Sequence, residues 1–250
     1  DSRRFGRWAD KNYCITRAIE SYENMYTAGS PTENRPHGRP NRVSALHTVM
    51  AQKDAVHFAH AGYEKPAWFK TDAVRSESHS WTHNEAHAVV AEECAAVQNT
   101  CGITDVSGTA KFRVTGPDAY AFLDHLSCNK LPAKDGRISL TLFHAKNGGI
   151  MAEQTVSRIN HEHFVLMGAI GSQIKDMQWM QQHVGDFDVT LEDFTQDWGG
   201  LLVTGPKARE ILQSICEDDL SNSAFPWLAC HTIQLDSAPV FAMRVSYAGE

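Results

Sequence analysis

Lys111-Phe-Arg-Val-Thr-Gly-Pro-Asp-Ala119 returns further along the chain as Gly200-Leu-Leu-Val-Thr-Gly-Pro-Lys-Ala208. In each copy an apolar run stops at Thr-Gly-Pro and a helix-forming run follows. The run fits a strand, Thr or Gly serves as the cap, and Pro117 or Pro206 falls at the first helical position, where its missing N–H costs little. One copy alone is a strand-to-helix corner. Two copies in one chain imply two related αβ units.

Around these corners the sequence alternates strand and helix patterns from Gly102 onward. The spacing predicts strands near 103–106, 109–115, 138–144, 150–158, 163–168, 187–194, 200–204, 230–235 and 239–247. Helices are predicted near 117–127, 171–183 and 206–215. Upstream, Trp8, Tyr13, Ile15, Ile19, Tyr22 and Met25/Tyr26 recur at helical spacing over residues 1–28. Gly29, Pro31, Pro36, Gly38 and Pro40 make residues 29–45 a turn-rich strap that cannot hold a helix. A short apolar stretch occupies 54–70. The polar run Ser76–His83 then leads to a helix from about Asn84 to Val97, with Asn84 as its cap. The class is α+β, a two-corner domain preceded by a small helical and irregular one.

The composition excludes several functions. With 250 residues, 42% hydrophobic and 21% charged, the chain is globular and has room for one large domain or two smaller ones. Its net charge is −7, and its short arginine clusters (Arg3, Arg4, Arg7; Arg35, Arg39, Arg42) sit among acidic neighbours, so no basic face can track nucleic acid. The apolar runs fall short of the ~18–20 residues of a membrane helix. Cys14, Cys94, Cys101, Cys128, Cys216 and Cys230 form no C-x-x-C pair, which argues for reduced thiols in a cytosol or mitochondrial matrix. The chain opens on Asp1 without a targeting stretch. It closes on Phe241-Ala-Met-Arg-Val-Ser-Tyr247-Ala-Gly-Glu250, a strand that has only just reached its turn, and so reads as an interior segment of a longer polypeptide.

No G-x-G-x-x-G or G-x-x-x-x-G-K-[ST] cradle for a dinucleotide or nucleotide occurs. His57/His60, His79/His83 and His161/His163 lack carboxylate or cysteine partners at regular spacing, and no metal is expected. Ser107 and Ser157 lack a nucleophile-elbow context. Lys146-Asn-Gly-Gly-Ile-Met-Ala-Glu153-Gln-Thr-Val-Ser-Arg158 is more informative. Asn-Gly-Gly signals a tight turn, and the pleat after it sends Met151, Glu153, Thr155 and Ser157 to one side, with Ile150, Ala152, Gln154, Val156 and Arg158 on the other. A carboxylate so placed can face a pocket at the sheet end, or simply solvent.

The run Cys101-Gly-Ile-Thr-Asp-Val-Ser-Gly-Thr-Ala-Lys-Phe-Arg-Val-Thr-Gly-Pro-Asp-Ala-Tyr-Ala-Phe-Leu123 resembles the opening of the aminomethyltransferase (glycine-cleavage T-protein) domain. The Gly-Gly-Ile strand, the second Val-Thr-Gly-Pro and Arg244-Val-Ser-Tyr-Ala-Gly-Glu250 follow in that family's order, so the resemblance covers residues 84–250. Arg3-Arg-Phe-Gly6, Arg35-Pro-His-Gly-Arg39 and Gly62-Tyr-Glu-Lys-Pro-Ala-Trp-Phe69, within residues 1–75, resemble the linking domain of dimethylglycine and sarcosine dehydrogenases, after their flavin module. The resemblance implies an FAD-dependent oxidation of an N-methyl amino acid, with oxygen or an electron-transfer partner as acceptor. The methylene then passes to tetrahydrofolate, giving 5,10-methylenetetrahydrofolate. It implies that Glu153 stands at the family's catalytic aspartate and that Tyr247 lines the pterin site. Leu140 stands where a pterin-facing tyrosine is usual, and Ala145 where an asparagine is common. These departures leave open a folate-independent, formaldehyde-releasing oxidase or dehydrogenase of the same architecture. A non-catalytic regulatory relative is a further reading, and the linker motifs at 3–69 argue against a flavin-free folate methyltransferase.

Overall fold

The computed structural model describes residues 10–29 and 33–246, so Trp8 and Tyr247 lie outside it. The chain divides into two compact units between Ala96 and Val97.

In the first unit, α1 (Lys11–Glu23) starts where the Asp10 side chain accepts the Tyr13 N–H at 2.8 Å. The helix is shorter than its apolar spacing suggests, and Ile15, Ile19 and Tyr22 of that stripe are exposed. Buried Glu20 ties α1 to the strap, accepting from the Arg17 guanidinium and from the His37 N–H. The stretch read only as apolar is a hairpin, β1 (Ala55–His60) and β2 (Tyr63–Phe69), turned by Ala61 and Gly62 at positive φ. A short α2 (His47–Gln52) precedes it, and α3 (Ala86–Asn99) follows.

The second unit is organised by an exchange. β3 (Gly102–Asp105) leads into β4 (Ala110–Thr115), and β8 (Thr190–Asp193) leads into β9 (Leu201–Thr204). Each leading strand pairs with the other corner strand. Thr115 lies opposite Thr190 and Phe112 opposite Asp193; Thr204 lies opposite Gly102 and Leu201 opposite Asp105. The small bonds repeat as well. Asp105 accepts the Ser107 N–H (2.9 Å) as Asp193 accepts that of Thr195 (3.1 Å). The Ser107 hydroxyl accepts the Gly200 N–H (3.0 Å), and the Thr195 hydroxyl accepts that of Lys111 (2.9 Å).

Both corners turn on a glycine at positive φ, +131° at Gly116 and +119° at Gly205. A Cβ on Gly116 would stand 2.3 Å from the Asp188 carbonyl oxygen, and one on Gly205 would stand 2.6 Å from those of Val97 and Thr100. The helices begin later than the sequence suggests. The N-caps of α4 (Ala119–Leu126) and α6 (Ala208–Gln213) are Asp118 and Lys207, so neither proline is the first helical residue and neither Thr nor Gly is the cap. The tight turn comes first, with Ala119 N–H to Gly116 O at 3.1 Å and Ala208 N–H to Gly205 O at 3.0 Å.

After α4 come β5 (Arg137–His144) and β6 (Ile150–Asn160); after α6 come β10 (Cys230–Leu235) and β11 (Ala238–Met243). Ser127 bridges Phe143 as Cys216 bridges Leu235. The first half also has β7 (His163–Gly168), completing an antiparallel sheet of order β5-β6-β7-β4-β8; no counterpart of β7 occurs among the described residues. One face of that sheet, with Phe112, Val114, Phe143, Ala152, Val156, Phe164 and Leu166, forms the core with Ala119, Phe122, Leu123 and Leu126 of α4 and Met180 of α5 (Gln173–Gln182). The α4 contribution follows i, i+3, i+4, i+7 spacing, the stripe a one-sided helix needs.

Gly116→Ala is expected to lower stability by about 2 kcal/mol or more, because φ strain adds to a backbone collision. Gly148, also at positive φ but with open space where a Cβ would go, is expected to lose only about 1 kcal/mol on the same change. Urea denaturation of both variants checks the contrast.

Candidate functional site

The opposite face of the five-stranded sheet is partly open. Register places Leu140, Thr155, Met167 and Lys111 in one row, Leu142 and Glu153 in the next, and Ile138, Ser157, Val165, Arg113 and Glu192 beyond. Ile138, Ser157 and Val165 are buried. At that end Arg137 bridges Ala229, and the Cys230 thiol donates to the Arg137 carbonyl at 3.8 Å. Burial pushes that thiol up, away from reactive thiolate character.

Glu153 is exposed, and its carboxylate has no hydrogen bond or ion pair among the described residues. Leu140 is 51% exposed, two positions along β5 from Leu142, which faces Glu153. The structure thus brings Glu153 and Leu140 to one face. Tyr247 lies outside the described residues; the backbone before it is held by Arg244, whose N–H donates to the Ala229 carbonyl at 2.9 Å. Ala145 opens the turn into β6, donating its N–H to Gly149 O at 2.8 Å.

The local geometry around Glu153 departs from a plain strand. Ala152 pairs with Phe143 and Ile150 with His144, which leaves Met151 as an extra, bulged residue. Bulges of this kind re-aim neighbouring side chains and concentrate near functional sites. On the buried side of β6, Gln154 donates its amide to Asp176 at 2.8 Å, and the Ser172 hydroxyl donates to the same carboxylate oxygen at 2.6 Å. Burial raises the Asp176 carboxyl above the usual range against those bonds and nearby Lys175.

The sequence reading misses an aromatic group beside this face. Arg113 pairs with Glu192 and lays its guanidinium over Phe194, 4.6 Å from the ring centre, with Trp198 at 6.0 Å. Trp198 meets Phe194 edge-on at 4.9 Å and Phe241 of β11 at 6.1 Å. The signal was the recurrence of Asp-x-Ser/Thr before each corner, Asp105-Val-Ser107 and Asp193-Phe-Thr195, which puts Phe194 next to β4. Lys111 is buried, with its ammonium on the carbonyls of Ser107, Thr109 and Thr195 at 2.9–3.2 Å. Clefts of about 410 and 330 Å³ lie in the first unit, lined by Tyr13 and Asn41 and by Glu20 and His79 respectively, and Glu153 lines neither. Among the described residues no three His, Cys, Asp or Glu side chains converge on a metal position, and no helix is long and apolar enough to cross a membrane.

Duplicated corners and a helix-backed antiparallel sheet make up the architecture of the second unit. The GCVT N-terminal domain matches residues 46–250, and the chain belongs to that family. Along its whole length it is 34% identical to mitochondrial dimethylglycine dehydrogenase of Mus musculus, and it spans 29% of that protein. It is 31% identical to sarcosine oxidase subunit alpha of Rhizobium meliloti over 86% of the chain and 22% of that subunit. It is also 31% identical to an aminomethyltransferase of Chlorobium luteolum, over 68% of the chain and 47% of that protein. The crystal structure of glycine cleavage system aminomethyltransferase T from Bartonella henselae superposes with a TM-score of 0.67 at 19% identity, over 84% of the chain and 51% of that structure, and so shares the fold.

Asp176 sets a pH dependence. A carboxyl raised by folding stays protonated in the native state after the unfolded chain has ionised, so its stabilisation is present below the unfolded value and is lost as pH rises toward the folded one. Asp176→Asn is expected to flatten this loss, gaining stability relative to the parent between about pH 4 and pH 7. Thermal melts at both pH values measure it.

Proposed function

We propose that the chain is the folate-handling portion of an FAD-dependent enzyme that oxidatively demethylates an N-methyl amino acid of the dimethylglycine or sarcosine type. On this reading residues 1–75 belong to the linking domain and 84–250 to the T-protein-like domain. The observation that carries it is whole-chain similarity to dimethylglycine dehydrogenase combined with an exposed, unpaired carboxylate at Glu153. The 250 residues offer no dinucleotide cradle, so FAD belongs to a part of such a protein that this chain does not span, and no step is assigned to it here. The same holds for the electron acceptor, whether oxygen or a partner protein. The mitochondrial relative favours a matrix location over a cytoplasmic one.

The open face suits a flat, polar heterocycle. Leu140, Leu142 and Met167 supply apolar wall, Glu153 supplies one acid–base group, and Tyr247 is assigned to the rim. Tetrahydrofolate, when bound, supplies the nucleophilic nitrogens. Glu153 takes up the proton released as they are alkylated and returns it to the departing amine. The bulge at Met151 re-aims the side chains beside it, and Glu153 is one methylene longer than the family's aspartate. Leu140 has no hydroxyl to orient a pterin, and this observation favours the second reading, a folate-independent enzyme releasing formaldehyde.

In the full-length protein, Glu153→Gln is expected to lower methylene transfer to tetrahydrofolate by about a hundredfold or more while substrate oxidation continues, so that formaldehyde release rises. Formaldehyde yield unaffected by tetrahydrofolate in the parent protein would select the second reading. Leu140→Tyr is expected to tighten binding of a reduced folate analogue, measured by calorimetry.

A further inference from the structure

The segment of β6 that carries Glu153 lacks one of its two neighbours. β7 pairs with β6 only from Thr155, opposite Met167, onward, and β7 ends one residue later at Gly168. Residues 150–154 therefore project past β7 with β5 on one side alone. The free side is met by the first turn of α5. Lys175 donates its ammonium to the carbonyl of Met151, the bulged residue, and Asp176 receives the Gln154 amide at 2.8 Å.

We propose that Lys175 and Asp176 are positioning residues, a side-chain clamp standing in for the missing strand and fixing the stretch from Met151 to Gln154. Glu153 and Gln154 are adjacent and point to opposite faces, so holding Gln154 fixes the direction in which Glu153 leaves the sheet. The pieces around the clamp are built for it. Gln154 is fully buried, and Asp176 is 1% exposed. Gly168 leaves the space Gln154 needs: a Cβ there would stand 2.7 Å from the Gln154 amide nitrogen and 3.2 Å from Asp176. Ser172, just before α5, supplies the second bond to Asp176 and fixes the carboxyl toward the sheet. The clamp's catalytic consequence rests on the reading of Glu153 given above; its structural existence does not.

Amide hydrogen exchange on the full-length protein tests it. Gln154→Leu and Asp176→Leu are expected to speed exchange at residues 151–154 at least tenfold and to leave 155–160, which β7 holds, within about twofold. Asp176→Asn, which keeps an acceptor for Gln154, is expected to leave both segments unchanged. Where a leucine variant fails to fold, Lys175→Met reads the other arm, since Lys175 is half exposed: exchange near Met151 rises severalfold, with 155–160 unchanged. Unaltered exchange at 151–154, or an even rise along all of β6, overturns the clamp. A methylene-transfer kcat that falls in Gln154→Leu with little change in folate KM, and a shifted pH profile, ties it to Glu153. Should Glu153→Gln leave transfer intact while the exchange pattern holds, the functional reading fails and the clamp stands.

Discussion

The second unit depends on the contact at its two glycine corners. Gly116 and Gly205 bring one backbone within collision range of another, and only the absence of a side chain permits it. Because Gly116 packs on Asp188, just before β8, and Gly205 packs on Thr100, just before β3, each corner fixes the start of the strand that pairs with it. The exchange of leading strands then follows. β8 completes the sheet containing β4, and β3 pairs with β9, so neither half can be built without residues from the other. The Asp105–Ser107 and Asp193–Thr195 turns lock that pairing with the same set of hydrogen bonds. Their repetition marks the two halves as one solution used twice.

From this scaffold comes a sheet with unequal faces. The side backed by α4 and α5 is mostly apolar and largely buried, and the other is covered at the Ser157 end and open at the Glu153 end. The buried side, by contrast, places Asp176 where ionisation is unfavourable. One strand thus separates an exposed carboxyl on one face from a desolvated one on the other, which is suited to holding structure.

Much of this is legible in the sequence, for physical reasons that differ by region. Strands and helices after Gly102 follow the expected ranges closely, because one-faced burial imposes periods of 2 and 3.6 on the side chains. β4 and α4 are the clearest cases. Where local turn chemistry decides, the reading slips: Pro117 and Pro206 sit before the caps, since the positive-φ glycine turn uses the residues that a simple capping rule gives to the helix. The hairpin at 55–69 was not read as strands because Pro66 and Gly62 interrupt it, though Pro66 is tolerated in a two-stranded ribbon. The Ile15–Ile19–Tyr22 stripe gave a helix but not a core, since periodicity reports an apolar face and not what covers it. Of the site, Glu153 and Leu140 were visible as positions, whereas Arg113, Trp198 and Phe241 converge only through strand exchange, which no local pattern encodes.

The repeat also shows where the two halves differ. Leu142 and Phe143 of β5 correspond to Gln234 and Leu235 of β10, because the equivalent residues after each helix bond to them: Cys128 N–H to Leu142 O, and Glu217 N–H to Gln234 O. Across the hairpin, Glu153 then corresponds to Pro239. The second half joins its strands through Asp236-Ser237 with unbroken register, while the first uses a longer turn, a bulge at Met151 and a projecting β6. A proline on β11 neither titrates nor donates. The irregularities therefore occur in the copy that bears the carboxylate, and the regular copy does without both. The bulge, the long turn and the carboxylate thus share one copy, on a scaffold that the other copy builds without them.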